Sequence, residues 1–148
     1  MQLWMKTVAA AALCSFATLG MAETMDEAKT MLAAAQAELG SKGLNAANDF
    51  NAGGKWNHPR AYVVLVDFKG NMLAHSSNAK LVGKNLFEVK DATGRPFVQE
   101  TIKSVQATGE SLIELRWSNP ETKKIDNAKL MARRVSGQDA YVGVAFFE

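Results

Sequence analysis

Tyr62-Val63-Val64-Leu65-Val66-Asp67-Phe68-Lys69-Gly70-Asn71-Met72-Leu73-Ala74-His75 is the stretch that decides the fold. Tyr62–Val66 is aromatic, β-branched and apolar at every position, the pattern of a strand covered on both faces. Asp67–Asn71 then reads as a turn, with Gly70 free to take positive φ. Met72–His75 resumes the strand pattern, so residues 62–75 are predicted to form a β-hairpin.

The segments on either side extend this nucleus. After a polar loop over Ser76–Asn85 that contains Gly83, Asp91-Ala92-Thr93-Gly94 marks a second turn. Pro96 opens a helix through Val105, with Phe97, Val98, Ile102 and Val105 on its apolar stripe. Strands are predicted over Ser111–Trp117, Ala128–Val135 and Ala140–Phe147, separated by turns at Asn119–Thr122 and Ser136–Asp139. Upstream, Thr24 caps a helix beginning at Met25, with Glu27 completing a capping box. Ala28, Met31, Leu32, Ala35 and Leu39 form one stripe, and Gly40 ends the helix. A further turn or two follows around Leu44, Ala47 and Phe50, before Gly53-Gly54. Helix, two strands, helix and three strands joined by short links predict an α+β fold: a five-stranded antiparallel sheet with helices beside it.

Composition narrows the function classes. The chain has 148 residues, 17 Lys and Arg against 15 Asp and Glu, 47% apolar and 22% charged residues. That is ordinary globular composition, with no charge excess to favour nucleic acid. Lys6, the apolar run Val8–Leu19 and Gly20-Met21-Ala22 make a positive, apolar and small-residue series, so residues 1–22 read as a signal peptide cleaved after Ala22. Cys14 lies inside that run and follows Leu13, against a lipid-attachment role. Residues 23–148 then form one cysteine-free domain in the periplasm or outside the cell, held by packing alone.

Catalytic motifs are missing: no G-x-S-x-G, no Walker loop, no H-E-x-x-H and no dinucleotide fingerprint. His58 and His75 share no metal-ligand spacing. No catalytic residue, metal or cofactor is assigned. The informative residues stand at strand ends. His75 closes the second strand, Arg116 and Trp117 close the third, and Lys129 opens the fourth. Gathered at one end of the sheet, with Tyr62 or Trp117 as an apolar wall, these groups would select a small organic anion. A plainer reading of each stays open. Arg116 alternates with Glu114 and Leu112 and fits a solvated face, Trp117 alternates with Leu115 and Ile113 and fits a packed one, and Lys129 belongs to a basic run that discourages strand addition.

Taken in order, the series Tyr62–His75, Leu81-Val-Gly-Lys-Asn85-Leu-Phe, Asp91-Ala-Thr-Gly94-Arg-Pro96-Phe97, Arg116-Trp117-Ser-Asn-Pro120, Lys129 and Tyr141–Phe147 resembles the single Cache domain family, type 2. Asp49–Trp56 resembles that family's lead-in. The resemblance implies a PAS-like antiparallel sheet behind a long N-terminal helix, used outside the cytoplasm to bind small ligands. Family members often sense short organic acids as input domains of chemoreceptors or histidine kinases. It also implies pocket roles for His75, Arg116, Trp117, Lys129 and Tyr62. The family carries tyrosines where this chain has Leu115 and Met131-Ala132, a change that fits a larger or more apolar ligand. The resulting expectation is a non-enzymatic periplasmic module that binds a small carboxylate, partners a membrane receptor or transporter, and does not insert in the membrane after signal cleavage. The alternative is a structural or interaction protein that uses the same fold to dock a membrane or periplasmic partner.

Overall fold

The structure, a computed structural model, describes residues 16–148, with side chains described from Thr24 onward. The expected signal over residues 1–22 and its cleavage position at Ala22 lie outside the residues whose side chains are described. The first helix, α1, spans Phe16–Lys42. Thr24 therefore sits inside a helix and not at its N-cap, because Phe16–Ala22 contains no proline and carries the helix straight through Met25. Gly40 does not end it either. A single glycine costs a helix about 1 kcal/mol, and the buried stripe outweighs that; α1 stops before Gly43, whose φ is +59°. The predicted stripe is otherwise as read: Ala28, Leu32, Ala35 and Leu39 are buried, with Met31 partly so, against one face of the sheet.

A short helix, α2 (Ala46–Asn51), buries Ala46 and Phe50. Next comes a two-residue strand, β1 (Asn57–His58), which the sequence reading did not anticipate because two residues carry no periodicity. β2 (Ala61–Asp67) and β3 (Met72–His75) form the predicted hairpin, with Val64 opposite His75 and Leu65 opposite Ala74. Gly70 holds its turn at φ +92°, and a Cβ there would lie 2.7 Å from the Phe87 Cβ and 2.9 Å from its backbone. Helix α3 (Phe97–Thr108) closes on Gly109 in the left-handed region. β4 (Glu110–Ser118), β5 (Ile125–Arg134) and β6 (Ala140–Phe147) complete the antiparallel sheet. β5 begins three residues before the predicted Ala128, since Ile125 pairs with Ser118 across the loop of residues 119–124.

The strand order is β3, β2, β6, β5, β4, with β1 beside β3 on the outer edge of β2. Each face is covered by its own helix. α1 packs on Val63, Leu65, Val142, Val144 and Phe146. α3, through Val98, Ile102 and Val105, packs on Tyr62, Val64, Val66, Tyr141 and Leu130. β6 is buried along its whole length, so alternation assigns each of its side chains to one core or the other. Val63 and Val144 thus serve the α1 side, while Tyr62 and Ala145, paired in register, serve the α3 side.

Two glycines separate conformational need from tolerance. Gly70→Ala is expected to cost at least about 3 kcal/mol in urea unfolding, from positive-φ strain plus the collision with Phe87. Gly40→Ala, which meets no atom within 4 Å, is expected to gain about 0.5–1 kcal/mol.

Candidate functional site

A cavity of about 40 Å³ lies between α3 and the sheet. Its walls are aliphatic and aromatic, among them Val64, Met72, Leu86, Phe97 and Leu115. The polar groups reaching it come from separate strands: Tyr62 from β2, His75 from β3, Trp117 from β4 and Tyr141 from β6. The Tyr62 and His75 rings stack at 4.6 Å, and Trp117 meets Phe97 edge-on at 4.9 Å. Tyr62, His75, Trp117 and Tyr141 border the cavity; among the described residues the fully buried side-chain polar atom without a hydrogen-bond partner is Ser111 Oγ. Burial pushes both phenols above their ordinary pKa, so they are neutral donors and acceptors.

His75 is held from several directions. Its backbone N–H donates to Asn51 Oδ1 at 2.9 Å, and the Asn51 amide donates to Leu73 O at 3.4 Å, so α2 clamps the free edge of β3. Ser76 Oγ donates to Trp56 O at 2.6 Å and accepts from Val63 N at 2.8 Å, fixing the residue that follows. The ring's Nδ1 accepts backbone N–H groups from Asn78 at 2.8 Å and Ser77 at 3.3 Å. Two donors aimed at Nδ1 place the single ring proton on Nε2. His75 is therefore a fixed neutral donor.

Arg116 and Lys129 do not join this cavity, contrary to the expected gathering of cationic groups with His75 and Trp117 at one end of the sheet. The physical reason is the pleat. Arg116 adjoins Trp117 in β4, so their side chains leave opposite faces. Lys129 pairs in register with Glu114, which has the same parity as Arg116. Both residues line a separate outer groove with Asp91, Arg95, Glu114 and Glu148. There the Lys129 ammonium is bound to Glu148 at 2.8 Å, which holds its pKa up. The Arg116 guanidinium donates to Ile125 O at 3.2 Å. Each cation already has an acceptor within the chain.

Asp91 organises that edge. One carboxylate oxygen accepts from Thr93 N, Thr93 Oγ1 and Arg95 N at 2.7–2.9 Å, and the other accepts from Arg116 N at 2.9 Å. Burial pushes its pKa up, but the bonds from Thr93, Arg116 and Arg95 outweigh that and hold it at about 2. The loop is thereby stitched to β4, and Phe97 at its end is set against Trp117.

Tyr141 and Asn51 are the residues that sequence reasoning missed. Tyr141 had a usable signal: the chain has two tyrosines, and a β2–β6 pairing with Tyr141 opposite Val66 puts both on one face. Asn51 had none, since its partner lies 24 residues away.

The sequence matches the Single Cache domain 2 family over residues 11–148. The chain belongs to that family. No curated protein matches it. Its fold is similar to a Cache chemosensory domain solved to explain carboxylic acid recognition, with TM-score 0.71 at 18% identity over 90% of this chain and 99% of that one. A methyl-accepting chemotaxis protein from Vibrio parahaemolyticus superposes with TM-score 0.69 at 18% identity, covering 88% of this chain and 92% of the other. A periplasmic sensor domain of a chemotaxis protein gives TM-score 0.66 at 18% identity, covering 90% and 99%. These likenesses establish an α+β Cache and PAS-like architecture, the predicted class. Among the described residues no helix is long and apolar enough to cross a membrane, and no group of three or more His, Cys, Asp and Glu is placed to hold a metal ion.

Burial lowers the His75 pKa from 6.5 to about 4. The unfolded chain therefore takes up this proton first. The group's contribution to stability is complete above pH 6.5 and is lost as pH falls toward 4, about 3 kcal/mol in all. Urea unfolding at pH 7 and pH 4.5 is expected to show His75→Gln losing about 2 kcal/mol less than the parent chain across that interval. Equal losses in the two proteins would show that the imidazole titrates normally.

Proposed function

We propose that this chain is an extracytoplasmic single Cache domain that binds a small organic acid in the cavity beneath α3, as a sensor or binding module without a bond-making step. On this reading residues 1–22 are a cleaved export signal, residues 23–148 are the working domain, and a membrane receptor or transporter is the partner that reads occupancy. The observation that carries the proposal is the convergence of Tyr62, Tyr141 and His75, from three separate strands, on one apolar hollow. A small carboxyl group offers two oxygens to such donors, and the apolar walls suit a short carbon chain. The related Cache domain solved with carboxylic acid recognition as its subject is a further support.

Tyr62, His75 and Trp117 keep their expected ligand-binding roles, and Tyr141 joins them. Arg116 and Lys129 are assigned instead to the outer groove, where they brace the β4–β5 edge. The site's chemistry supports a role without catalysis. Neutral phenols, a neutral imidazole with its basic nitrogen already occupied, and an indole supply no activated nucleophile and no poised base.

A thermal-shift series of two- to four-carbon acids tests this. A ligand at about 100 times its Kd is expected to stabilise the protein by about 2.7 kcal/mol. Tyr62→Phe and Tyr141→Phe are each expected to weaken the best acid about five- to tenfold, and Arg116→Ala to change it less than about twofold. An Arg116→Ala loss of about thirtyfold would return the anion site to the outer groove. Stabilisation by no small molecule, with recovery of a tight protein partner, would favour the docking alternative.

A further inference from the structure

We infer that the cavity takes its acid as the uncharged, protonated molecule and excludes the carboxylate, so that each binding event brings one proton into the complex. This rests on the acid-binding reading above and specifies the form of ligand that the site accepts.

Three observations carry it. First, the cavity has no charged wall. β2 and β6 contribute Tyr62 and Tyr141, β3 contributes His75, and α3, β4, β5 and the loop through Leu86 contribute only uncharged side chains. The charged residues of this end of the sheet, Asp91, Arg95, Arg116 and Lys129, line the outer groove. Transferring a carboxylate from water into an apolar enclosure without a countercharge is expensive, and such a group neutralises instead.

Second, His75 is prevented from becoming the countercharge. A second ring proton would have to sit on Nδ1, where the Asn78 and Ser77 N–H groups already point. Protonation there sets donor against donor and breaks both hydrogen bonds. Asn51, which fixes the backbone of His75, keeps the strand from shifting to relieve that clash. No charged side chain acts on the imidazole; burial lowers its pKa and outweighs a backbone hydrogen bond that raises it.

Third, the polar groups complement a neutral carboxyl. His75 Nε2–H is a donor only, suited to the carbonyl oxygen. Each tyrosine hydroxyl both donates and accepts, so it can receive the acid's O–H as well as give its own proton. A carboxylate has no proton to offer and would leave the accepting capacity of the phenols unused.

The test uses the full chain and two probes, propionic acid and propionamide, titrated calorimetrically from pH 5.5 to 7.5. For the acid, the observed affinity is expected to fall about tenfold per pH unit, a hundredfold across the range, as its neutral fraction shrinks. For the amide, affinity is expected to stay constant within about twofold. His75→Gln, which keeps a neutral N–H donor, is expected to weaken the acid yet preserve the tenfold slope, because the proton travels with the ligand. An acid affinity independent of pH would overturn the inference while leaving the acid-binding reading intact. A slope lost in His75→Gln would place the proton on the imidazole and overturn it as well. Binding of neither probe at any pH would overturn both.

Discussion

The two central strands of the sheet are dry on both faces, and that constraint governs the rest of the molecule. Ala61–Val66 and Ala140–Phe147 are buried from end to end, so successive side chains must enter one core and then the other. α1 seals one face and α3 the other. A polar side chain placed on β2 or β6 cannot escape to solvent. It must find a partner inside or be held against a cavity. Tyr62 and Tyr141 take the second course on the same face, and their place on the cavity wall follows from the sheet before any helix or loop contributes to it.

The rest of the structure fixes the third polar group. β3 is short and stands at the sheet's edge, the kind of strand that slips most readily in register. Here Asn51 substitutes for a neighbouring strand by serving both His75 N and Leu73 O, and Ser76 bridges β2 to the Trp56 carbonyl. The imidazole is locked by the two N–H groups of the following loop. The opposite rim is held by Asp91, whose bonds to Thr93, Arg95 and Arg116 set the start of α3. Each side of the cavity thus depends on one short polar side chain acting on backbone groups. That is a rigid way to hold donors in an enclosure with no internal charge.

Much of the fold was legible in the sequence because it rests on periodicity. The alternation in Ser111–Trp117, the continuous apolar run at Tyr62–Val66 and the helical stripe from Ala28 to Leu39 each state which faces are covered. Boundaries were harder to read. Gly40 looks like a terminator and Thr24 like a cap, but both lie within α1, since local preferences of about 1 kcal/mol yield to a buried stripe. The site was legible in part. Tyr62, His75 and Trp117 share one cavity, but nearness to strand ends also groups Arg116 and Lys129 with them, and these line the outer groove. Parity within β4, already written in the spacing of Glu114, Arg116 and Trp117, separates them. Tyr141 was hidden inside a strand that reads as core, and the roles of Asn51 and Asp91 arise from contacts that no local pattern announces.

The central claim is that ligand meets both tyrosines and not the cationic groove. The chain has two tyrosines, so protein labelled with ¹³C at the tyrosine ring gives a spectrum simple enough to decide it. On saturation with a bound acid, the ring signals of both Tyr62 and Tyr141 are expected to shift together, while in a second sample labelled with ¹⁵N at arginine and lysine the side-chain signals of Arg116 and Lys129 stay unmoved. Unshifted tyrosines beside displaced Arg116 and Lys129 signals would contradict the account and move recognition to the outer face of the sheet.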